Sequence, residues 1–366
     1  MVAVFGSMAL LLPTQGHGGA TAIPDECSTF VYHLGSVKFL SSLATWLNKH
    51  QIWLYISAMV AGGLIGSGVP AVNDLLNSWI NPFLAVLLYV TFLSMPLTEL
   101  LRGFRDVRFI AALIATNFVA VPALVFLVTK IVHAENAILI GVALVLLAPC
   151  VDYVIVFSGL AGGANDKLLA ATPLLLGAQM LLIPAYMSFI VGRTWMTAFS
   201  PKPFLDALVF LIAIPLVLAI ATQLLKNRFK RISDLAPVTD FVMVPAMMGT
   251  LLCVVGSQIL SLSMHAGEML QAILAFILFI PVAGFTAFHL GKAFGLNVPS
   301  IRAITFSGVT RNSLVILPIA LALPAEYSLA PTVVVTQTLI ELVAMLVMIK
   351  VVPVLIRTVP HRFGAS

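Results

Sequence analysis

The sequence has few charged residues. Only 9% of its 366 residues are charged, whereas soluble domains average roughly 25%. Because 61% of the residues are hydrophobic and the mean hydropathy is +1.10, a water-soluble globular fold is excluded. The net charge of +5 does not indicate nucleic-acid binding, since the basic residues lie in loops between apolar runs. The chain is therefore predicted to be an all-α polytopic membrane protein with the lipid bilayer as a partner.

Cysteines and catalytic motifs are also scarce. Cys27, Cys150 and Cys253 are widely separated and show no CxxC spacing, so they indicate neither a zinc site nor a disulfide framework. No HExxH, P-loop or GxSxG pattern occurs at a usable place, which gives no support to an intramembrane enzyme or an ATP-driven pump. We expect no enzymatic activity, no metal and no cofactor.

Long apolar runs are abundant instead. Each has about twenty residues or more, enough to cross ~30 Å of hydrocarbon. The predicted transmembrane segments are 51–68, 80–97, 107–132, 137–160, 168–191, 203–225, 237–260, 269–294, 298–323 and 329–356. The chain is thus expected to have about ten transmembrane helices.

These segments divide into two halves, residues 51–192 and 203–356. Since each half has an odd number of segments, the second half is expected to be inverted relative to the first, an arrangement common in secondary carriers. Residues 1–33 are predicted to form a loose extension, 34–50 an amphipathic helix along the interface, and 357–366 a cytoplasmic tail.

Lysine and arginine are distributed unequally between alternate loops. With the N-terminus placed in the cytoplasm, one side holds Lys38, Lys49, Arg102, Arg105, Arg108, Lys167, Lys226, Arg228, Lys230, Arg231, Lys292, Arg302, Arg357 and Arg362. The other side holds Lys130, Arg193 and Lys202. The excess of positive charge predicts that both termini are cytoplasmic in a multi-pass protein of the cell membrane.

Polar residues interrupt the fourth and ninth segments. Pro149 removes a backbone donor, so a helix break is expected there, followed directly by Asp152 and Tyr153. Residues 307–313 interrupt the ninth segment and contain Arg311. We expect the two broken helices to cross near the bilayer midplane, where Asp152 pairs with Arg311. The pair either binds substrate or only fixes the crossing geometry.

Further polar residues lie within the apolar segments. Glu341, in the tenth segment, is a candidate proton carrier or sodium ligand, or else a protonated side chain bonded to a neighbouring helix. Cys150 either binds a soft solute or packs as a small hydrophobe. Tyr153 and Asn312 are further candidate substrate ligands. The residues that either line a pocket or join helices are Asn117, Gln179, Gln258, Thr310 and Gln337.

The chain resembles the arsenite efflux permeases, or arsenical-resistance proteins, of the bile acid/arsenite/riboflavin transporter superfamily. The resemblance covers about residues 51–356. It is carried by 147–157 (LAPCVDYVIVF), 160–163 (LAGG), 116–122 (TNFVAVP), the 310–312 break and Glu341. It implies ten spans with crossed, broken fourth and ninth helices, and export of trivalent arsenite by proton antiport.

The resemblance also assigns roles to single residues. It implies that Cys150, after a proline in the fourth span, is needed for arsenite, and that Glu341 is tied to transport. The competing hypothesis is a sodium-coupled importer of an organic anion, related to the bile acid symporters, with Arg311 as the counter-charge and Glu341 as a sodium ligand. A third hypothesis is a membrane receptor or scaffold, which gives no role to the intramembrane charges.

Overall fold

The structure is a computed structural model. It describes residues 25–94, 106–131, 136–151, 153–192, 195, 201–206, 209–210, 213–228 and 236–357. The described part is helical, with no β-strand. Its α-helices are α1 (Asp25–Gly68), α2 (Asn73–Ser94), α3 (Val107–Ala115), α4 (Val121–Ile131), α5 (Asn136–Leu147), α6 (Tyr153–Leu160), α7 (Asn165–Ile190), α8 (Pro201–Asp206), α9 (Ile214–Arg228), α10 (Ala236–Met264), α11 (Ala266–Ala293), α12 (Val298–Val309), α13 (Ser313–Leu321) and α14 (Ala330–Leu355). A π-helical turn, Thr116–Ala120, joins α3 to α4. The all-α class is confirmed.

Seven described helical segments are long and apolar enough to cross a membrane. They are Ser42–Gly68, Pro70–Ser94, Val107–Ile131, Asn165–Ile190, Phe241–Met264, Ala266–Ala293 and Ala325–Leu355. The other three predicted segments each contain two shorter helices: α5 with α6, α8 with α9, and α12 with α13. The polytopic membrane architecture is therefore confirmed. Breaks interrupt the fourth and ninth segments, whereas residues 207–208 and 211–212 of the sixth segment lie outside the described part.

Helix α1 is longer than the sequence pattern predicts. It runs without a break through residues 34–50 and 51–68, which the pattern divides between an interfacial helix and a first span. It ends at Gly68, just before Val69 and Pro70, because a residue that precedes proline is disfavoured in the α conformation. Residues 1–24 of the predicted extension lie outside the described part, and an interfacial position for 34–50 stays a prediction.

The helices pack in two groups. The first group contains α1, α2, α9 and α10, and its tightest contact is between α1 and α10. A Cβ atom on Gly62 or Gly66 would collide with the backbone of Leu252 or Gly256, so the two helices approach this closely only because both positions of α1 lack a side chain.

The second group surrounds the interrupted helices. Here α11 packs against α12, α14 packs against α5 and α13, and α7 packs against α5 and α6. The two groups meet where α10 touches α14 and α11, and where α2 touches α13. This arrangement places the helix breaks inside the second group.

Candidate functional site

The breaks in the fourth and ninth segments cross each other. Helix α5 ends at Leu147 and α6 begins at Tyr153, while α12 ends at Val309 and α13 begins at Ser313. In between, Pro149 and Arg311 form an antiparallel bridge. The predicted crossing of two broken helices is therefore confirmed.

Hydrogen bonds across the crossing satisfy the interrupted backbones. The Cys150 N–H donates to the Thr310 carbonyl at 3.2 Å, and the Asn312 N–H donates to the Ala148 carbonyl at 2.8 Å. Backbone groups at membrane depth have no water to bond, so each break supplies the partners that the other needs.

The side chains next to the breaks take part in local capping. The Asn312 side chain accepts a hydrogen bond from the Val315 N–H at 3.2 Å and so caps α13. The Thr310 hydroxyl donates to the Phe306 carbonyl at 2.9 Å. Both residues lie at the crossing as predicted, and contact of either one with a substrate stays a prediction.

Arg311 is fully buried, and the described hydrogen-bond acceptors of its guanidinium are neutral. Its guanidinium donates to the Asn117 Oδ1 at 3.1 Å, the Leu146 carbonyl at 3.3 Å and the Ser307 carbonyl. It also lies over the Phe279 ring, 5.6 Å from the centroid. The structure thus brings Asn117 to the crossing as a partner of Arg311.

The Asn117 side chain makes two further hydrogen bonds beside Arg311. Its amide nitrogen donates to the Ser307 hydroxyl at 2.9 Å and to the Leu113 carbonyl at 3.1 Å. It lies in the π-helical turn, whose wider winding accompanies this contact. Asp152 lies outside the described residues, so its pairing with Arg311 stays a prediction.

Glu341 reaches the crossing from α14. Its Oε1 accepts from the Tyr153 hydroxyl at 2.7 Å, and its Oε2 accepts from the Arg311 backbone N–H at 2.7 Å and from the Gln337 side-chain amide. The side chain is only 1% exposed. Three donors therefore converge on this buried carboxylate, which links α14 to both breaks.

The remaining candidates lie in different places. Cys150 is buried within the crossing itself. Gln179 is buried in α7, and its side-chain amide has no hydrogen-bond partner among the described residues. Gln258 accepts from Thr332 at 3.3 Å, between α10 and α14. Thr332 precedes Glu341 by nine residues, or about 14 Å of helix, so Gln258 is not at the crossing.

A cavity of about 160 Å³ lies between the two groups of helices. Its lining residues are Tyr55, Leu87, Thr91, Ser94, Tyr153, Ile155, Val156, Leu169, Met243 and Met247. No described lining residue is charged. Because Tyr153 also donates to Glu341, this tyrosine connects the cavity to the carboxylate.

Sequence patterns indicate only part of this cavity. Tyr153 follows the proline break, whereas Tyr55, Thr91 and Ser94 stand in ordinary apolar runs and have no local signal. A search for polar residues on one predicted face of each helix would have highlighted Thr91 and Ser94, which lie three residues apart in α2.

Comparison with known proteins identifies the family. No curated protein matches the chain. The profile of the Sodium Bile acid symporter family matches residues 81–268, about half of the chain. The matched region runs from α2 into α11 and includes the first break with Cys150 and Tyr153. This match and the membrane-spanning helices show a multi-pass membrane protein of a transporter family, and the chain belongs to the sodium bile acid symporter family.

Proposed function

We propose that this protein is a secondary active transporter that exports trivalent arsenite, and also antimonite, by proton antiport across the plasma membrane, with both termini cytoplasmic. The observation that carries the proposal is the cavity between the two helix groups. Its volume of about 160 Å³ suits a small solute, and its described lining is uncharged. Undissociated arsenous acid is small and neutral, so it requires no counter-charge.

Sulfur and hydroxyl groups around the cavity support a soft solute. Met243 and Met247 contribute thioethers, and Tyr153 contributes a hydroxyl. The Cys150 thiol is 1% exposed, so the crossing must open for this thiol to reach a solute. One thiol cannot supply the three sulfur ligands that trivalent arsenic prefers. Binding shared with oxygen ligands would be weak, which suits a carrier that must also release its cargo.

The hydrogen bonds of Glu341 support a role for this residue in proton coupling. The carboxylate uses Oε1 to accept from Tyr153, which lines the cavity. A proton on Oε1 would turn this acceptor into a donor, so Tyr153 would have to accept or move away. Protonation of Glu341 at Oε1 would therefore alter a cavity wall, and this change would couple proton movement to substrate binding.

A sodium-coupled symporter of an organic anion is the second candidate. The family match and the buried guanidinium of Arg311, whose Nε has no described hydrogen-bond partner, favour it. In this case Arg311 would face the anion and Glu341 would bind sodium through oxygen ligands. The small volume of the cavity is less suited to a steroid-sized anion.

The test is uptake of arsenite into everted membrane vesicles under an imposed proton gradient. Gradient-dependent uptake is expected for the unmodified protein and should be lost in Cys150→Ala and Glu341→Gln. Cys253→Ala replaces another buried cysteine, and Glu326→Gln replaces a carboxylate outside the core, so both control variants should keep uptake.

A negative result would exclude arsenite as the substrate. This result is that the folded protein takes up no more arsenite than empty vesicles do. Uptake of an organic anion driven by a sodium gradient, and abolished in Arg311→Gln, would then establish the second candidate.

A further inference from the structure

A deep apolar groove lies on the second group of helices, away from the cavity. It is bounded by α11, α12 and α14 and encloses about 550 Å³. Phe285 and Leu355 line it and are 67% and 73% exposed, whereas Thr305 and Val309 are buried at its base. Since α11 and α14 span the membrane, the exposed side chains face hydrocarbon, and any ligand must be apolar over most of its length.

The ends of the bounding helices meet at one end of the groove. The Arg302 guanidinium donates to the Ile356 carbonyl at 2.8 and 3.1 Å, and Ile356 itself lines the groove. A Cβ atom on Gly291, near the end of α11, would lie 3.2 Å from the Ile301 side chain. The C-terminal ends of α11 and α14 therefore lie side by side at the start of α12.

Positive charge is concentrated at this end. Lys292 lies in the last turn of α11, and its Nζ is 4.5 Å from the centroid of the Phe288 ring, which lines the groove. Arg357 follows α14 and is exposed. An apolar groove with cations at one end complements a molecule that has an apolar tail and an anionic head.

We propose that the groove binds one acyl chain of an anionic phospholipid, whose phosphate lies at Lys292 and Arg357. The length of the groove fits this occupant. From Ile280, at its far end, to Lys292 is a distance of about 18 Å along α11, close to the ~15 Å depth of one hydrocarbon leaflet. The proposal requires neither a particular transported solute nor a coupling ion.

The bound chain touches the back of the crossing. Val309 forms part of the base of the groove, and the next residue, Thr310, accepts the Cys150 N–H. Gly284 leaves room beside Val309, because a Cβ atom there would already lie 3.3 Å from the Val309 side chain. The acyl chain therefore packs against the residue that precedes the bridge, and its binding stabilises the crossed helices.

The test uses the full-length protein in neutral detergent, titrated with dioleoylphosphatidylglycerol or dioleoylphosphatidylcholine. Native mass spectrometry counts the bound lipids, and thermal unfolding reports stabilisation. One phosphatidylglycerol should bind preferentially and raise Tm. Val351→Trp and Leu355→Trp, which fill the groove from α14, should each remove this binding.

A matched control lies on the same helix. Val343→Trp changes a lipid-exposed residue two turns before Val351, and its side chain points back towards the N-terminus of α14, away from the groove. This variant should bind phosphatidylglycerol like the unmodified protein. Unchanged binding in both groove variants would overturn the proposal, and two variants are used because one could fail to fold.

Charge is tested with a second matched pair. Lys292→Gln should weaken phosphatidylglycerol binding about fivefold, which corresponds to the roughly 1 kcal/mol that one cation contributes beside an anionic headgroup. Lys130 also stands over a phenylalanine, 5.3 Å from the Phe126 ring, but does not adjoin the groove, so Lys130→Gln should have no effect. Equal affinity for the two lipids, or equal effects of the two lysine variants, would refute selection of an anionic headgroup.

Discussion

Replacing Tyr153 with phenylalanine removes one of the three donors that hold the buried Glu341 carboxylate. The lost bond is 2.7 Å long and joins a hydroxyl to a buried carboxylate oxygen. Hydrogen bonds to charged groups contribute about 1.5–3 kcal/mol, whereas neutral bonds between membrane helices average about 0.6 kcal/mol. We therefore expect Tyr153→Phe to lower the free energy of unfolding by about 2 kcal/mol.

For a chain of this length, such a loss corresponds to a decrease in Tm of roughly 2–5 °C. Thermal unfolding in detergent, followed by intrinsic fluorescence, measures it directly. Tyr89→Phe is a matched control, because its hydroxyl bonds the neutral Thr222 hydroxyl at 3.0 Å. The Tm of Tyr89→Phe should fall by less than half as much as the Tm of Tyr153→Phe.

A double-mutant cycle isolates the interaction. In a Glu341→Gln background the acceptor is neutral, so Tyr153→Phe should cost only about 0.5–1.5 kcal/mol. Equal costs in the two backgrounds, or equal Tm shifts for Tyr153→Phe and Tyr89→Phe, would show that the tyrosine does not stabilise a charged carboxylate.

Three further predictions test other contacts. Asn117→Leu removes the side-chain acceptor of a buried guanidinium and should lower stability by about 1–3 kcal/mol in thermal unfolding, while Asn117→Asp, which keeps an acceptor, should remain folded. Gly66→Ala should reduce the yield of monodisperse protein in size-exclusion chromatography, because its methyl group collides with the facing helix, whereas Gly68→Ala meets no atom within 4 Å and should not. The Lys167 ammonium lies 2.6 Å from the Asp106 carboxylate and holds the pKa of Asp106 below its ordinary value of 3.8. The ion pair therefore stabilises the protein above pH 3.8, and this stabilisation is lost as the pH falls through the lowered pKa. Because both side chains are partly exposed, the ion pair contributes under about 1 kcal/mol. The Tm difference between the unmodified protein and Asp106→Asn should be present at pH 6 and shrink below pH 3.8.

Each of these three predictions can be contradicted by its own experiment. Similar losses for Asn117→Leu and Asn117→Asp would mean that packing, not hydrogen bonding, explains the first result. Equal yields for the two glycine variants would place α1 and α10 farther apart than the structure shows. A Tm difference that does not depend on pH would exclude Asp106 ionisation as its cause.

Local sequence predicts the breaks but not their partners. Pro149 and the polar 307–313 stretch stand out within apolar runs, so both interruptions and their crossing could be predicted. The bond between Glu341 and the backbone of Arg311 could not, because it joins residues thirty positions apart through packing of α13 on α14. Periodicity identifies helices, and contacts between helices depend on rotations and tilts that it does not specify.

The described hydrogen-bond partners of the Arg311 guanidinium have a related explanation. A buried guanidinium predicts a carboxylate partner on electrostatic grounds, yet carbonyl oxygens of Leu146 and Ser307 also satisfy its donors. Every residue carries such a carbonyl, so the sequence contains no signal for them. Asn117 was recognisable as an intramembrane polar residue, but its contact with Arg311 depends on the π-helical turn.

The bridge between the two breaks also constrains how the protein is made. Cys150 leaves the ribosome about 160 residues before Thr310, its backbone partner, which at ~5–20 residues per second is a delay of roughly 10–30 s. During that interval the Cys150 N–H and the Ala148 carbonyl lack their native partners, and hydrocarbon offers no substitute. The nascent fourth segment must therefore satisfy these backbone groups in another way, by a different local conformation or by water, until the ninth segment has been made.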